Sequence, residues 1–143
     1  MKVLVLNGPN LERLDIRDSS IYGEMTYPAL VSHIENAAKT HGFEADVRQS
    51  NDESEIIGWL HEAADTKTPV IINPAAFTHY SYAIRDAADM VKAPLIEVHL
   101  SNPLSREEFR HTSVISGVAN GTIGGFGPNS YVLALIALKA LLT

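Results

Sequence analysis

At 143 residues, with 45% hydrophobic and 20% charged side chains, the chain has the composition of one folded domain with a substantial core. Lys and Arg number 11 against 17 Asp and Glu, a net charge of −6 with no basic run, so its field repels nucleic acid and anionic membranes. The absence of cysteine excludes disulfides, thiolate nucleophiles and Cys-ligated metals.

The opening run KVLVLN (2–7) is continuously apolar up to Asn7, the pattern of a strand buried on both faces of a parallel sheet. It is too short for a signal peptide. The most apolar stretch, YVLALIALKALL, is interrupted by Lys139 and falls short of a membrane span. The cytoplasm is the expected compartment. Next comes LNGPNLERLDIRDSSIYGE, with little in it apolar enough to build a core. A long structureless connection in a compact domain is usually a lid or binding loop, here at about 11–24, with a Gly-Pro-Asn turn stiffening its exit from the sheet.

Residues 26–41 place Leu30, Val31, Ile34, Ala37 and Ala38 on one helical face, and Gly42 supplies a stop. FEADVRQ (43–49) alternates like a half-exposed strand. Residues 52–65 carry a second helical stripe of Ile56, Ile57, Leu60, Ala63 and Ala64. PVIIN (69–73) and PLIEVHL (94–100) read as buried strands separated by a helix near 80–91. Ser105 and Glu108 fit a capping box opening a helical turn, SREEFR. GTIGG (121–125) is a short fifth strand before a final helix over roughly 129–142.

This alternation predicts an α/β fold: a flavodoxin-like five-stranded parallel sheet with helices on both faces, one domain spanning 1–143. The last helix is apolar almost all round and needs cover on more than one side, from its own chain or from a neighbouring subunit.

In open parallel sheets, ligands bind beyond the carboxyl ends of the strands. Asn7 leads there into Asn10, Arg13, Arg17 and Tyr22, Asn73 into His79, and the fourth strand into Glu97, His99 and Ser101. Arg17 beside Tyr22 would favour the phenolate and make a base of it. His79 and His99 lie in strand-end loops among polar groups, and Glu97 shares a strand face with His99, where it could hold the imidazole in one tautomer. A metal on His79, His99 and a carboxylate stays open. His33, His41 and His61 read as solvated or capping, and His111 as exposed. Arg106 and Arg110, four apart on the predicted turn, either meet a substrate or pair with Glu107, Glu108 or Asp86. No G-x-G-x-x-G follows the first strand, no phosphate-binding G-x-x-x-x-G-K occurs, and no lysine ends a strand to form a Schiff base.

Together LNGPNL…R…YG, INPAAFTH, IEVHLSN and REEFRH resemble the type II 3-dehydroquinate dehydratases, over about residues 3–131. The resemblance implies a flavodoxin-like hydro-lyase of the shikimate pathway, converting 3-dehydroquinate to 3-dehydroshikimate through an enolate, without metal, cofactor or Schiff base. It implies a homo-oligomer, a dodecamer built from trimers. By matching position, Tyr22 becomes the base, kept ionised by Arg17 with Arg106 in support, and Asn10 holds a water near the enolate oxygen. His99, oriented by Glu97, becomes the general acid. Asn73, His79 and the main-chain amides at Leu100 and Ser101 match the substrate pocket, Arg110 a contact to ring hydroxyls, and Asp86 a contribution from a neighbouring subunit.

Asp15 stands where the family usually has glycine, and Asp18-Ser19 where it has Glu-Pro, which leaves the lid less restrained. Pro128-Asn129-Ser130 replaces a common Ile-Gln-Gly ahead of the last helix. Two other classes compete: a binding module that holds a carboxylated polyol without turnover, and a His-ligated metal hydrolase.

Overall fold

The structure, a computed structural model, describes residues 1–22 and 24–143. Strands β1 (Lys2–Asn7), β2 (Glu44–Gln49), β3 (Val70–Asn73), β4 (Leu95–His99) and β5 (Gly121–Gly124) form one parallel sheet in the order β2-β1-β3-β4-β5. Between them run α1 (Ser19–Tyr22), α2 (Tyr27–Thr40), α3 (Glu53–Thr66) and α4 (Tyr82–Met90), and α5 (Asn129–Leu142) closes the chain.

The continuous apolar strands are explained by cover on both faces. Successive residues point to opposite sides. Val3 and Val5 of β1 join Leu30 and Ile34 of α2 and Leu135 and Leu138 of α5. Leu4 and Leu6 pack instead with Ile56 and Leu60 of α3 and Ile84 of α4. Each fully buried Leu or Ile contributes about 1.5–3 kcal/mol over leaving it exposed. β2, at the edge, is only half-buried, as its alternating sequence predicts.

Helix starts follow side-chain oxygens that accept otherwise orphaned amides. Asp52 caps α3 by accepting from Ser54 N at 2.9 Å, and Ser81 caps α4 by accepting from Ile84 N at 3.1 Å. At the other end of α2, Gly42 takes φ +83°, the left-handed conformation that stops the helix. α5 is covered on one side by its own chain through Tyr131, Ala134, Leu135 and Leu138, while Leu133, Ile136 and Leu141 remain 38%, 47% and 51% exposed.

Two expectations are corrected. The predicted capping box does not form: Ser105 ends a 3-10 turn over Pro103–Ser105 that Asn102 caps, and its hydroxyl donates back to Asn102 O at 2.8 Å. Pro103 fixes the turn start earlier, and Arg106 is extended, so no helix spans SREEFR. Nor is the segment after β1 structureless. It holds a 3-10 turn over Leu11–Arg13 and then α1, anchored by Leu11 and Leu14, which are 2% and 4% exposed within the core. Gly23, in the Tyr-Gly pair of the expected lid, lies outside the described residues.

Candidate active site

All five strands deliver their carboxyl ends to one rim, and the β1–β3 register sets Asn7 level with Asn73. Both amides are buried, so both need partners. Tyr131 of α5 supplies them: its hydroxyl donates to Asn7 Oδ1 at 2.6 Å and accepts from Asn73 Nδ2 at 3.0 Å. Asn73 Oδ1 in turn accepts the Ala75 amide at 3.1 Å, holding a turn in which Ala75 has φ +52°. Burial pushes the Tyr131 phenol well above its ordinary pKa, despite the Asn73 hydrogen bond that opposes it. The rim is thus floored by a rigid polar network.

The loop after β1 passes so close to β3 that a side chain on Gly8 would sit 2.5 Å from Pro74 O. Asn10 then takes φ +71°, and its amide donates to Asn51 Oδ1 at 2.9 Å. Further along, Asp15 accepts from Arg13 Nε at 3.0 Å, and Asp18 Oδ1 accepts from the Ser20 amide at 3.0 Å to start α1. The two residues that depart from the family pattern therefore carry local restraints of their own.

The rim encloses a cavity of about 120 Å³ lined by Asn10, Arg17, Tyr22, Asn73, His79, His99, Leu100, Ser101, Arg106 and Arg110, among others. Within it the Arg17 guanidinium carbon lies 3.6 Å from the Tyr22 ring centroid, and that of Arg106 lies 5.0 Å from the same ring. Burial lowers the pKa of Arg17, Tyr22 raises it, and the neighbouring charges of Arg106 and Arg110 lower it again, with a net fall. Cations are crowded here beyond what the wall of the cavity neutralises. Arg106 Nε is buried without a hydrogen-bond partner among the described residues, while Arg106 Nη1 donates to Ser101 Oγ at 3.4 Å.

Beside them, His99 Nε2 meets Glu97 Oε2 at 2.5 Å. Glu97 is completely buried and lies behind His99, outside the cavity wall. Its carboxylate also accepts from Thr78 Oγ1 at 2.5 Å and Ser113 Oγ at 2.9 Å. Burial alone would raise the Glu97 pKa, but the His99 contact and then the two hydroxyls outweigh it and hold the carboxyl below its usual range.

His79 Nδ1 faces Thr112 O at 2.8 Å; a carbonyl only accepts, so Nδ1 carries the proton. Its ring meets Phe109 edge-on, with centroids 5.9 Å apart. Arg106 and Arg110 both reach the cavity, but not through helical spacing: Arg106 follows one 3-10 turn and Arg110 lies in the next, over Glu108–His111. Arg110 also pairs with Glu107, its Nε donating to Oε2 at 3.0 Å, so the two readings of this arginine are not exclusive. Asp86 is exposed on α4 and does not line the cavity of its own chain. His33 is half-buried and bonds Asn129 Oδ1 at 3.2 Å, while His111 is exposed and bonds Arg106 O at 3.0 Å. The described residues contain no group of three or more His, Asp or Glu side chains placed to share a metal ion.

Sequence reasoning missed Thr78, Ser113 and Tyr131. Thr78 adjoins His79 and could have been suspected; nothing in the pattern around Ser113 or Tyr131 pointed to the site.

Fold and site together define a flavodoxin-like α/β protein whose strand-end cavity joins a phenol, clustered guanidiniums and an imidazole–carboxylate pair. The family model described as dehydroquinase class II matches residues 1–139. The chain belongs to that family. A 3-dehydroquinate dehydratase of Salinispora tropica is 53% identical over 140 residues, covering 98% of each chain. The crystal structure of a type II dehydroquinase from Propionibacterium acnes superposes with a TM-score of 0.95 at 49% identity, covering 97% of this chain and 96% of that one. A type II dehydroquinase from Butyrivibrio crossotus gives 0.94 at 48% identity, covering 97% of both.

Proposed function

We propose that this chain is a hydro-lyase that removes water from 3-dehydroquinate to give 3-dehydroshikimate, within the shikimate pathway. The observation that carries this reading is one cavity holding both Tyr22 under Arg17 and His99 backed by Glu97.

The proton alpha to a ketone is weakly acidic, so a base and stabilisation of the developing oxyanion must act together. The Tyr22 phenolate, with Arg17 and Arg106 as its countercharges, takes that proton, and the electron pair of the C–H bond becomes the enolate. Asn10 holds a water against the enolate oxygen. When the enolate collapses, the bond to the C1 hydroxyl breaks, and His99 gives that oxygen a proton so that it leaves as water. Asn73, His79 and the amides of Leu100 and Ser101 receive the carboxylate and hydroxyls, and Arg110 the ring hydroxyls. The segment over about 11–24 acts as the lid that excludes bulk water.

The assembly belongs to the same proposal: a dodecamer built from four trimers, with Asp86 reaching a neighbouring cavity. Exposed Tyr80, Tyr82, Leu104 and Phe109, together with the apolar stripe on α5, support it. A cytoplasmic location fits the pathway and the lack, among the described residues, of a helix long and apolar enough to cross a membrane.

The test is incubation with 3-dehydroquinate while following the absorbance of the conjugated enone. Turnover that survives borohydride and chelators is the expected result. Binding without turnover would contradict it.

A further inference from the structure

The Glu97 carboxylate sits between two hydroxyls that no part of the dehydration chemistry has used. Ser113 Oγ accepts the Ile115 amide at 3.1 Å and the Ser116 amide at 3.0 Å. A hydroxyl has two lone pairs, and both are now taken. Its proton must therefore point outward, to Thr78 Oγ1 at 2.7 Å or to Glu97 Oε1 at 2.9 Å and Oε2 at 3.1 Å. Thr78 Oγ1 lies 2.7 Å from Ser113 Oγ and 2.5 Å from Glu97 Oε2. With the Ser113 lone pairs filled, Thr78 cannot donate to Ser113, so its proton goes to Glu97, directly backed by the Ser113 hydroxyl. His99 Nε2 faces a carboxylate oxygen and must carry a proton of its own.

We infer that Thr78 and Ser113 are positioning residues that lock Glu97 as a permanent anion, fixing the proton on His99 Nε2 and leaving Nδ1 as the only nitrogen able to exchange one. The inference rests on the proposed role of His99 as general acid. In it, the Nδ1 proton passes to the departing hydroxyl as the carbon–oxygen bond breaks, and His99 becomes neutral while keeping Nε2–H on Glu97. Glu97 does not relay protons, because the donors that converge on its two oxygens stabilise the anion and disfavour a proton there. Thr78 precedes His79 and Ser113 follows the turn bearing Arg110. The same clamp ties both loops to β4, reinforced by the Val114 amide donating to Thr78 O at 2.7 Å.

The experiment compares Thr78→Val, Thr78→Ser and Ser113→Ala by steady-state kinetics with 3-dehydroquinate and by NMR of ¹⁵N-labelled imidazoles. The His99 Nε2 proton, assigned by its loss in His99→Gln, is expected downfield of the amide envelope in the native protein. Removing either hydroxyl should move that resonance and lower kcat roughly tenfold at near-constant KM, the effect of one hydrogen bond to a charged group. Thr78→Ser should restore both. Thr78→Val and Ser113→Ala that both leave kcat and the resonance unchanged overturn the inference, and so does Thr78→Ser behaving like Thr78→Val. The NMR result does not depend on turnover. An inactive native protein whose resonance responds as expected would sink the proposed reaction and leave the clamp standing.

Discussion

Arg17 lies over the ring of Tyr22, its guanidinium carbon 3.6 Å from the centroid, and Arg106 approaches the same ring at 5.0 Å. A guanidinium this close to the ring favours an anionic oxygen on it, and partial solvent exposure weakens the effect. Arg17→Met should lower kcat on the order of tenfold to a hundredfold. Arg17→Lys, which keeps the charge and loses the planar stack, should fall between. Steady-state kinetics of the three proteins checks the order.

Tyr131→Phe deletes the hydroxyl that satisfies Asn7 and Asn73. Leaving buried amide groups without partners costs about 1–3 kcal/mol each. The folded state raises the Tyr131 pKa, so its contribution is fully present below the unfolded value near ~10 and is lost as pH rises through the folded one. Denaturant midpoints should drop in the variant at neutral pH. The native protein should lose stability above about pH 10 more steeply than the variant.

Glu97 behaves oppositely. Its folded pKa lies below the ordinary carboxylate value, so the stability it contributes is present above the unfolded value near ~4.3 and is lost as pH falls through the folded one. Glu97→Gln should be less stable than the native protein at neutral pH, and its acid unfolding should be shallower. Equilibrium unfolding followed from pH 7 down to about 3 measures both.

Gly8→Ala places a methyl group 2.5 Å from Pro74 O, and both partners are backbone. Overpacking of this kind costs about 1–3 kcal/mol. The strain should also displace the turn that leads to Asn10. Thermal melting and kcat/KM should both fall, the latter several-fold.

The sheet was legible because burial on both faces leaves a continuous apolar signature, and the helices because their stripes keep a 3.6-residue period. Asn73, Glu97 and His99 stood out as polar residues ending apolar strands. What stayed hidden depends on distance along the chain. Tyr131 reaches Asn7 across 124 residues, and Ser113 reaches Glu97 across 16, through a hydroxyl that any loop serine would show. Leu11 and Leu14 were passed over because they do not repeat with any period, yet they anchor the segment after β1. The reach of Arg106 and Arg110 into the cavity was anticipated for the wrong reason, since 3-10 turns rather than a helix carry them there.

Removing a single oxygen asks the decisive question. Tyr22→Phe keeps the ring under Arg17 and deletes only the atom proposed to take the proton. Incubated with 3-dehydroquinate and followed by enone absorbance, alongside calorimetric titration of the substrate, it should bind nearly as the native protein does and show no turnover. A variant that forms product at the native rate would contradict the assignment of the base and the mechanism built on it.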